Sequence, residues 1–371
     1  MIVDAIKTVV RGNDLSTQEA QTVMDEIMEG QASPVQVAAL LTALRMKKEA
    51  VPEITGFAAS MRAHCLAIKP KAKDLVDTCG TGGDLSNTIN ISTLAALVAA
   101  GAGAIVAKHG NRSVSSQCGS ADVLEALGVN ISLTPEQSQA CIDKLGIGFM
   151  FAPAFHPAMK HVGPVRRELG FRTVFNILGP LSNPAGAPYQ VLGVYDENLL
   201  RPVAQVLRNL GCKRALIVHG LDGVDEISIT GKTRVTEIKR DGRITTYTLA
   251  PEDLEIQSSS LTSIMGGNVS ENARIAYDIL SGREMAGPRV DVVVLNAAAV
   301  LWVAGKAENF KEGIAQARQA LSNGAALSKL EALKTETQKF AASSKIKKPA
   351  PSKSQSTKRV LAKRSSAKKR K

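Results

Sequence analysis

Two short stretches combine residue types suited to a phosphorylated ligand. Cys79-Gly80-Thr81-Gly82-Gly83-Asp84 follows a predicted strand and precedes Asn90-Ile91-Ser92-Thr93, where a helix is predicted to begin. Glycines let backbone N–H groups approach phosphate oxygens, and a helix N-terminus adds donors and a favourable dipole. The spacing matches neither G-x-G-x-x-G nor G-x-x-x-x-G-K-[ST], so neither a dinucleotide fold nor a P-loop is indicated, and a tight strand-to-helix turn without a ligand would look the same. The second stretch is Lys108-His109-Gly110-Asn111-Arg112-Ser113-Val114-Ser115-Ser116. It puts cations, an amide and hydroxyls on a loop at the carboxyl edge of a predicted parallel sheet, where open α/β sheets bind ligands.

Two further places carry charge of the right kind. Asp225-Glu226 offers adjacent carboxylates after a predicted strand, hard ligands of the sort Mg2+ takes together with substrate phosphates, although such pairs are also common on surface turns. Arg166-Arg167 lies on a predicted helix, where one guanidinium can clamp a carboxylate while the other faces solvent. His64, His156, His161 and His219 lack metal-ligand spacing and read as structural.

The elements that must position these groups follow from periodicity. The first residues form short helices: Ile2, Ile6, Val9 and Val10 recur on one face, Ser16 with Glu19 and Ser33 with Gln36 make capping boxes, and a fourth helix spans 52–65. From Leu75 short β-type runs alternate with helical segments, at 75–77, 104–107, 148–151, 190–195 and 215–219, which predicts a mostly parallel sheet. An antiparallel hairpin around Asp241-Gly242 is expected between 227 and 249, with helices at 270–280 and from 310 towards 338. The expected organisation is a helical domain over 1–68, an α/β domain over 72–338 and a disordered basic tail over 339–371.

Charge supports that division. The last 33 residues of the 371 hold 13 of the 46 Lys and Arg and no acid, so the rest carries 33 basic and 34 acidic side chains, net −1. The formal +12 therefore belongs to the tail, and it gives no argument that the body binds nucleic acid. Five cysteines, odd in number and without a C-x-x-C pair, indicate neither a disulfide framework nor a zinc site, and point to a reducing cytoplasm. No signal peptide or membrane span is indicated.

In order along the chain, Gly80-Thr-Gly-Gly-Asp84, Asn90-Ile-Ser-Thr93, Lys108-His-Gly-Asn-Arg112 with Ser115-Ser116, Gly119-Ser-Ala-Asp122, Phe155-His156-Pro157, Arg166, Asn176-Ile-Leu-Gly-Pro180 and Asp225-Glu226 resemble the anthranilate phosphoribosyltransferases. The similarity runs from about Ile2 to Lys334. It implies a small N-terminal helical domain plus a larger α/β domain with a central mostly parallel sheet, and a homodimer joined through the helical parts. The implied reaction joins anthranilate to 5-phospho-α-D-ribose 1-diphosphate in tryptophan biosynthesis. Carried over by motif, Gly80, Gly83, Asp84, Thr88, Asn90, Ile91, Ser92, Thr93, Lys108, Ser116 and Ser120 would hold the phosphoribosyl donor. Ser92, Asp225 and Glu226 would serve Mg2+, and Gly80, His109, Asn111 and Arg166 would border anthranilate, with Lys108, His109 and Asp84 in catalysis.

Two other readings compete. A pyrimidine nucleoside phosphorylase shares this architecture but has no evident need of Asp225-Glu226. A nucleic-acid-binding relative would draw affinity from the basic tail, whose contact would be sequence-independent and salt-sensitive; an extension without function is the alternative for that tail.

Overall fold

The computed structural model describes residues 1–84, 86–113 and 117–346, with side chains described to 341. Ser115, Ser116 and the tail from 347 onward, with its expected disorder and nucleic-acid contact, lie outside the described residues.

Four helices open the chain: α1 (Ile2–Val10), α2 (Thr17–Met28), α3 (Pro34–Lys47) and α4 (Val51–Ala63). Both expected capping boxes form, at Ser16/Glu19 and Ser33/Gln36. Each such N-cap is typically worth about 1 kcal/mol. The buried face of α1 is Ile2, Ala5 and Val9, spaced i, i+3, i+7, while Val10 is turned out. One residue past Val9 the helix has rotated a further 100°, too far to reach the same core.

The remainder wraps a seven-stranded sheet made of β1 (Leu75–Gly80), β2 (Ile105–Gly110), β3 (Ile147–Phe151), β4 (Tyr189–Gly193), β5 (Arg214–Gly220), β6 (Thr233–Ile238) and β7 (Ile244–Leu249). Its order is β3-β2-β1-β4-β5-β6-β7. Strands β3 through β5 pair in parallel, and the β6–β7 hairpin adds on antiparallel. Between these strands and after them run α5 (Ile91–Gly101), α6 (Ser120–Ala126), α7 (Pro135–Leu145), α8 (Ala152–Phe155), α9 (Gly163–Leu169), α10 (Phe175–Leu181), α11 (Leu200–Asn209), α12 (Val269–Leu280), α13 (Pro288–Val303), α14 (Phe310–Ser322) and α15 (Ala325–Ile346).

Alternation along the strands divides the core into two layers. On β5, Leu216 and Val218 face the layer built by α5, α13 and α14, whereas Ala215 and Ile217 face α10, α11 and the N-terminal helices. The apolar core of the helical module is thus continuous with one face of the sheet. Among the described residues no helix is long and apolar enough to cross a membrane. Helix α5, apolar nearly all round, spans 11 residues, about 16 Å, roughly half a bilayer core.

Two elements differ from expectation. Helix α13 escapes periodicity because it is buried on nearly every side, so its run of Val, Ala and Leu has no polar face to set a period. Helix α15 continues to Ile346 instead of giving way to the tail at 339. Phe340, seven residues beyond the buried Leu333, packs on the core and carries the helix on.

Candidate active site

The chain leaves β1 for β2 on one side and later returns to β4 on the other, so the sheet's topological switch lies between β1 and β4. That is where an open α/β sheet leaves a crevice at its carboxyl edge. Gly80 and Gly193 end these two strands as register partners. A Cβ on Gly80 would lie 2.3 Å from Asp225 Oδ2, and one on Gly193 would lie 1.5 Å from the Asp225 carbonyl oxygen. Both positions need glycine because Asp225 sits directly on them.

The β2 end supplies the cation. Lys108 is 3% exposed; its ammonium donates to the Thr78 carbonyl and, at 3.3 Å, to Ser92 Oγ. Fully buried Asp77 fixes the backbone beneath it, accepting from the His109 amide at 3.2 Å and from Asn183 Nδ2 at 2.8 Å. Asn183 Nδ2 also donates to the Ala107 carbonyl. Burial lowers the Lys108 pKa, while Asp77, Cys79 and Glu226 favour its charged form. Asp77 and Asn183 were not singled out in the sequence; a carboxylate inside an apolar strand is the signal that pointed to such a buried network.

The acidic pair closes the corner. Asp225 Oδ2 accepts from the Gly82 amide at 2.7 Å, and Glu226 Oε1 accepts from the Ser92 amide at 3.1 Å, at the N-terminal end of α5. One residue on, Asn296 of α13 brackets Ile227, accepting from its N–H at 3.1 Å and donating to its carbonyl at 2.9 Å. Asn296 was missed together with its helix; a lone amide in an apolar run needs partners and was the available clue. Burial, then repulsion from Asp84 and Glu226, pushes the Asp225 carboxyl well up; burial also raises Glu226, against the pull of Lys108. Three carboxyls thus share a corner with one lysine, which suits a divalent cation. Among the described residues no three His, Cys, Asp or Glu side chains form a ready-made cage. Mg2+ fits this arrangement, since it commonly takes one or two protein carboxylates and completes its shell with water and substrate phosphates.

His109 and His156 are buried beside each other, ring centroids 5.1 Å apart. Burial, then the neighbouring His156, lowers His109 to about 3, and burial lowers His156 to about 4, so both are neutral near pH 7. The Nε2 atom of each is buried without a hydrogen-bond partner among the described residues. His156, whose spacing reads as structural, is brought against His109 by the fold. Arg166 is half-buried with its guanidinium 5.4 Å from the Phe175 ring centroid, and Arg167 is exposed.

The other expected residues divide. Asp84 accepts from Ser86 Oγ beside the acidic pair. Asn90 donates to the Cys118 carbonyl, with its Oδ1 unpartnered among the described residues, Ser120 Oγ donates to the Asn111 carbonyl, and Thr88 bridges to Met265. Ile91 and Thr93 are buried, with their amides on the Ile89 and Asn90 carbonyls, and the Ile91 side chain packs in the core. Asn111 is exposed, and Arg112 is engaged outward by Asp122 and Glu125.

Residues 3–65 match the helical bundle domain of the glycosyl transferase family, and residues 72–327 its a/b domain. The anthranilate phosphoribosyltransferase of Clostridium kluyveri is 53% identical over 331 residues, 89% of this chain and 98% of that protein. The crystal structure of the Thermus thermophilus enzyme superposes with a TM-score of 0.86 at 46% identity, covering 90% of this chain and 99% of that one. The Saccharomyces cerevisiae enzyme in complex with PRPP and Mg gives 0.84 at 30% identity, covering 91% and 98%. The same yeast enzyme is also known with 4-fluoroanthranilate, at 0.82 and 29%, with the same coverage. With both domains matched and half the residues identical across about nine-tenths of the chain, the chain belongs to the anthranilate phosphoribosyltransferase family.

Proposed function

We propose that this chain transfers the phosphoribosyl group of 5-phospho-α-D-ribose 1-diphosphate to anthranilate, releasing diphosphate, as a step of tryptophan biosynthesis. The observation that carries this reading is the meeting of Lys108, Ser92 and Glu226 at the switch of the sheet, three segments far apart in sequence. The donor would lie along the Gly80–Asp84 loop, with Asn90, Ser92, Lys108 and Ser120 around it. Ser92, Asp225 and Glu226 would hold Mg2+ near Asp84. When bound, the metal neutralises charge on the diphosphate and makes it a better leaving group.

The chain's own groups do the remaining work. As the bond at the sugar C1 breaks, negative charge grows on the departing diphosphate. Lys108 and the loop amides meet that charge in place, without reorganisation. The aromatic amine of anthranilate is neutral near pH 7 and attacks C1 without prior deprotonation, its carboxylate held by Arg166. Neutral His109, with Nε2 free of partners among the described residues, accepts the amine proton after the new bond has formed. Mixing protein, anthranilate, donor and Mg2+ should consume anthranilate fluorescence; thymidine or uridine phosphorolysis without Mg2+ would instead support the phosphorylase reading.

The working unit in this reading is a homodimer joined through the helical modules. Val3 and Val10 on α1 and Val35 and Met46 on α3 are exposed apolar side chains, each pair spaced to share a helix face. Light scattering should give twice the chain mass, and Val35→Asp with Met46→Asp should halve it. Five cysteines outside any disulfide suit a reducing cytoplasm.

A further inference from the structure

Arg172 lies between α9 and α10, outside every motif that carries the family resemblance. Its guanidinium packs over the Tyr195 ring, 4.1 Å from the centroid, and its Nη2 donates to the Gly83 carbonyl. Gly82 and Gly83 both have positive φ, +67° and +80°, and a Cβ on Gly83 would stand 2.9 Å from Arg172 Nη2. The loop therefore bends towards this arginine through a backbone that glycine adopts without strain. Tyr195 ties the same loop by its own backbone, its amide donating to Thr81 Oγ1 at 3.1 Å.

A peptide unit is planar and trans, so its carbonyl and the following N–H point in opposite directions. No cis bond interrupts the chain among the described residues. With the Gly83 carbonyl held by Arg172, the Asp84 N–H is turned away from the arginine.

We infer that Arg172, braced over the Tyr195 ring, is a positioning residue that fixes the Gly83–Asp84 peptide so that the Asp84 amide is presented to the phosphoribosyl donor. This rests on the function proposed above. Arg172 takes no part in bond making and need not touch anthranilate. Planarity matters, since a guanidinium stacks on a ring and donates in its own plane at once.

The test is steady-state kinetics with each substrate varied, on the full chain with Mg2+. Arg172→Ala should raise the KM for phosphoribosyl diphosphate about tenfold, the loss expected for a hydrogen bond from a charged donor, with the anthranilate KM within about twofold. Tyr195→Leu should reproduce part of that rise, and Tyr195→Phe, which keeps the ring, should restore the wild-type KM. A rise confined to the anthranilate KM would overturn the inference, as would unchanged kinetics in both Arg172→Ala and Tyr195→Leu. If Arg172→Ala does not fold, the Tyr195 pair decides by the same readout. An inactive wild-type chain would instead refute the proposed function, which separates the two failures.

Discussion

Lys108 Nζ stands 3.3 Å from Ser92 Oγ, and the amide of that same serine donates to Glu226. Ser92 is thus a joint between the cation at the end of β2 and the acidic pair after β5. The charges that would meet a diphosphate and those that would hold its metal are set against one another through a single residue.

Lys108 and Arg166 should separate in kinetics. Lys108→Met, which keeps much of the packing, is expected to lower kcat by about 10²–10³, the usual cost of one preorganised donor. Arg166→Ala is expected mainly to raise the anthranilate KM, about tenfold for a loss of about 1.4 kcal/mol in ground-state binding. Initial-rate measurements showing the reverse division would exchange the two roles.

The acidic pair should trade stability for metal use. Asp225→Asn with Glu226→Gln removes buried like charges, so without Mg2+ the variant should melt about 2 °C or more higher, as about 1 kcal/mol would give. Its activity should need far more Mg2+. A metal titration superimposable on wild type would take both carboxylates out of the site.

Removing the brace on that pair should act through both folding and metal. Asn296→Leu strands the buried N–H and C=O of Ile227, at about 1–3 kcal/mol for each group left unsatisfied. Thermal melting should show the loss, and the Mg2+ requirement should rise as the acidic turn loosens. A lower melting point with an unaltered Mg2+ titration would make Asn296 a packing residue only.

Acid should act on the two buried histidines. His109 and His156 fall to about 3 and about 4 in the folded chain, below the ordinary value of about 6.5. As pH drops below about 6.5 the unfolded chain takes up protons that the folded one refuses, so stability is complete above that pH and is lost towards 4 and then 3. Each histidine contributes up to about 1.4 kcal/mol per pH unit in that window. The raised Asp225 and Glu226 work in the opposite sense, so the comparison with His156→Gln isolates the effect. Urea unfolding at about pH 7 and about pH 5 should show a smaller acid loss in the variant, and an equal loss would rule the effect out.

Much of this architecture was legible because it rests on local rules. Ser16/Glu19, Ser33/Gln36, the glycine turn after β1 and the Asp241-Gly242 hairpin all announce themselves within a few residues. What stayed hidden depends on tertiary neighbours. Helix α13 has no period because it has no exposed face, and Asn296, Asp77 and Asn183 act through partners 69, 32 and 106 residues away. His156 has no ligand spacing, yet the fold lays it against His109. Ile91 shows the converse, since its place in a motif says nothing of where its side chain goes, which is into the core.

The most direct test is a crystal soaked with phosphoribosyl diphosphate and Mg2+. The diphosphate is expected against the Gly80–Asp84 loop within reach of Lys108, with the metal at Asp225 and Glu226. A donor lodged away from both the glycine turn and the β2 end would contradict the proposed chemistry.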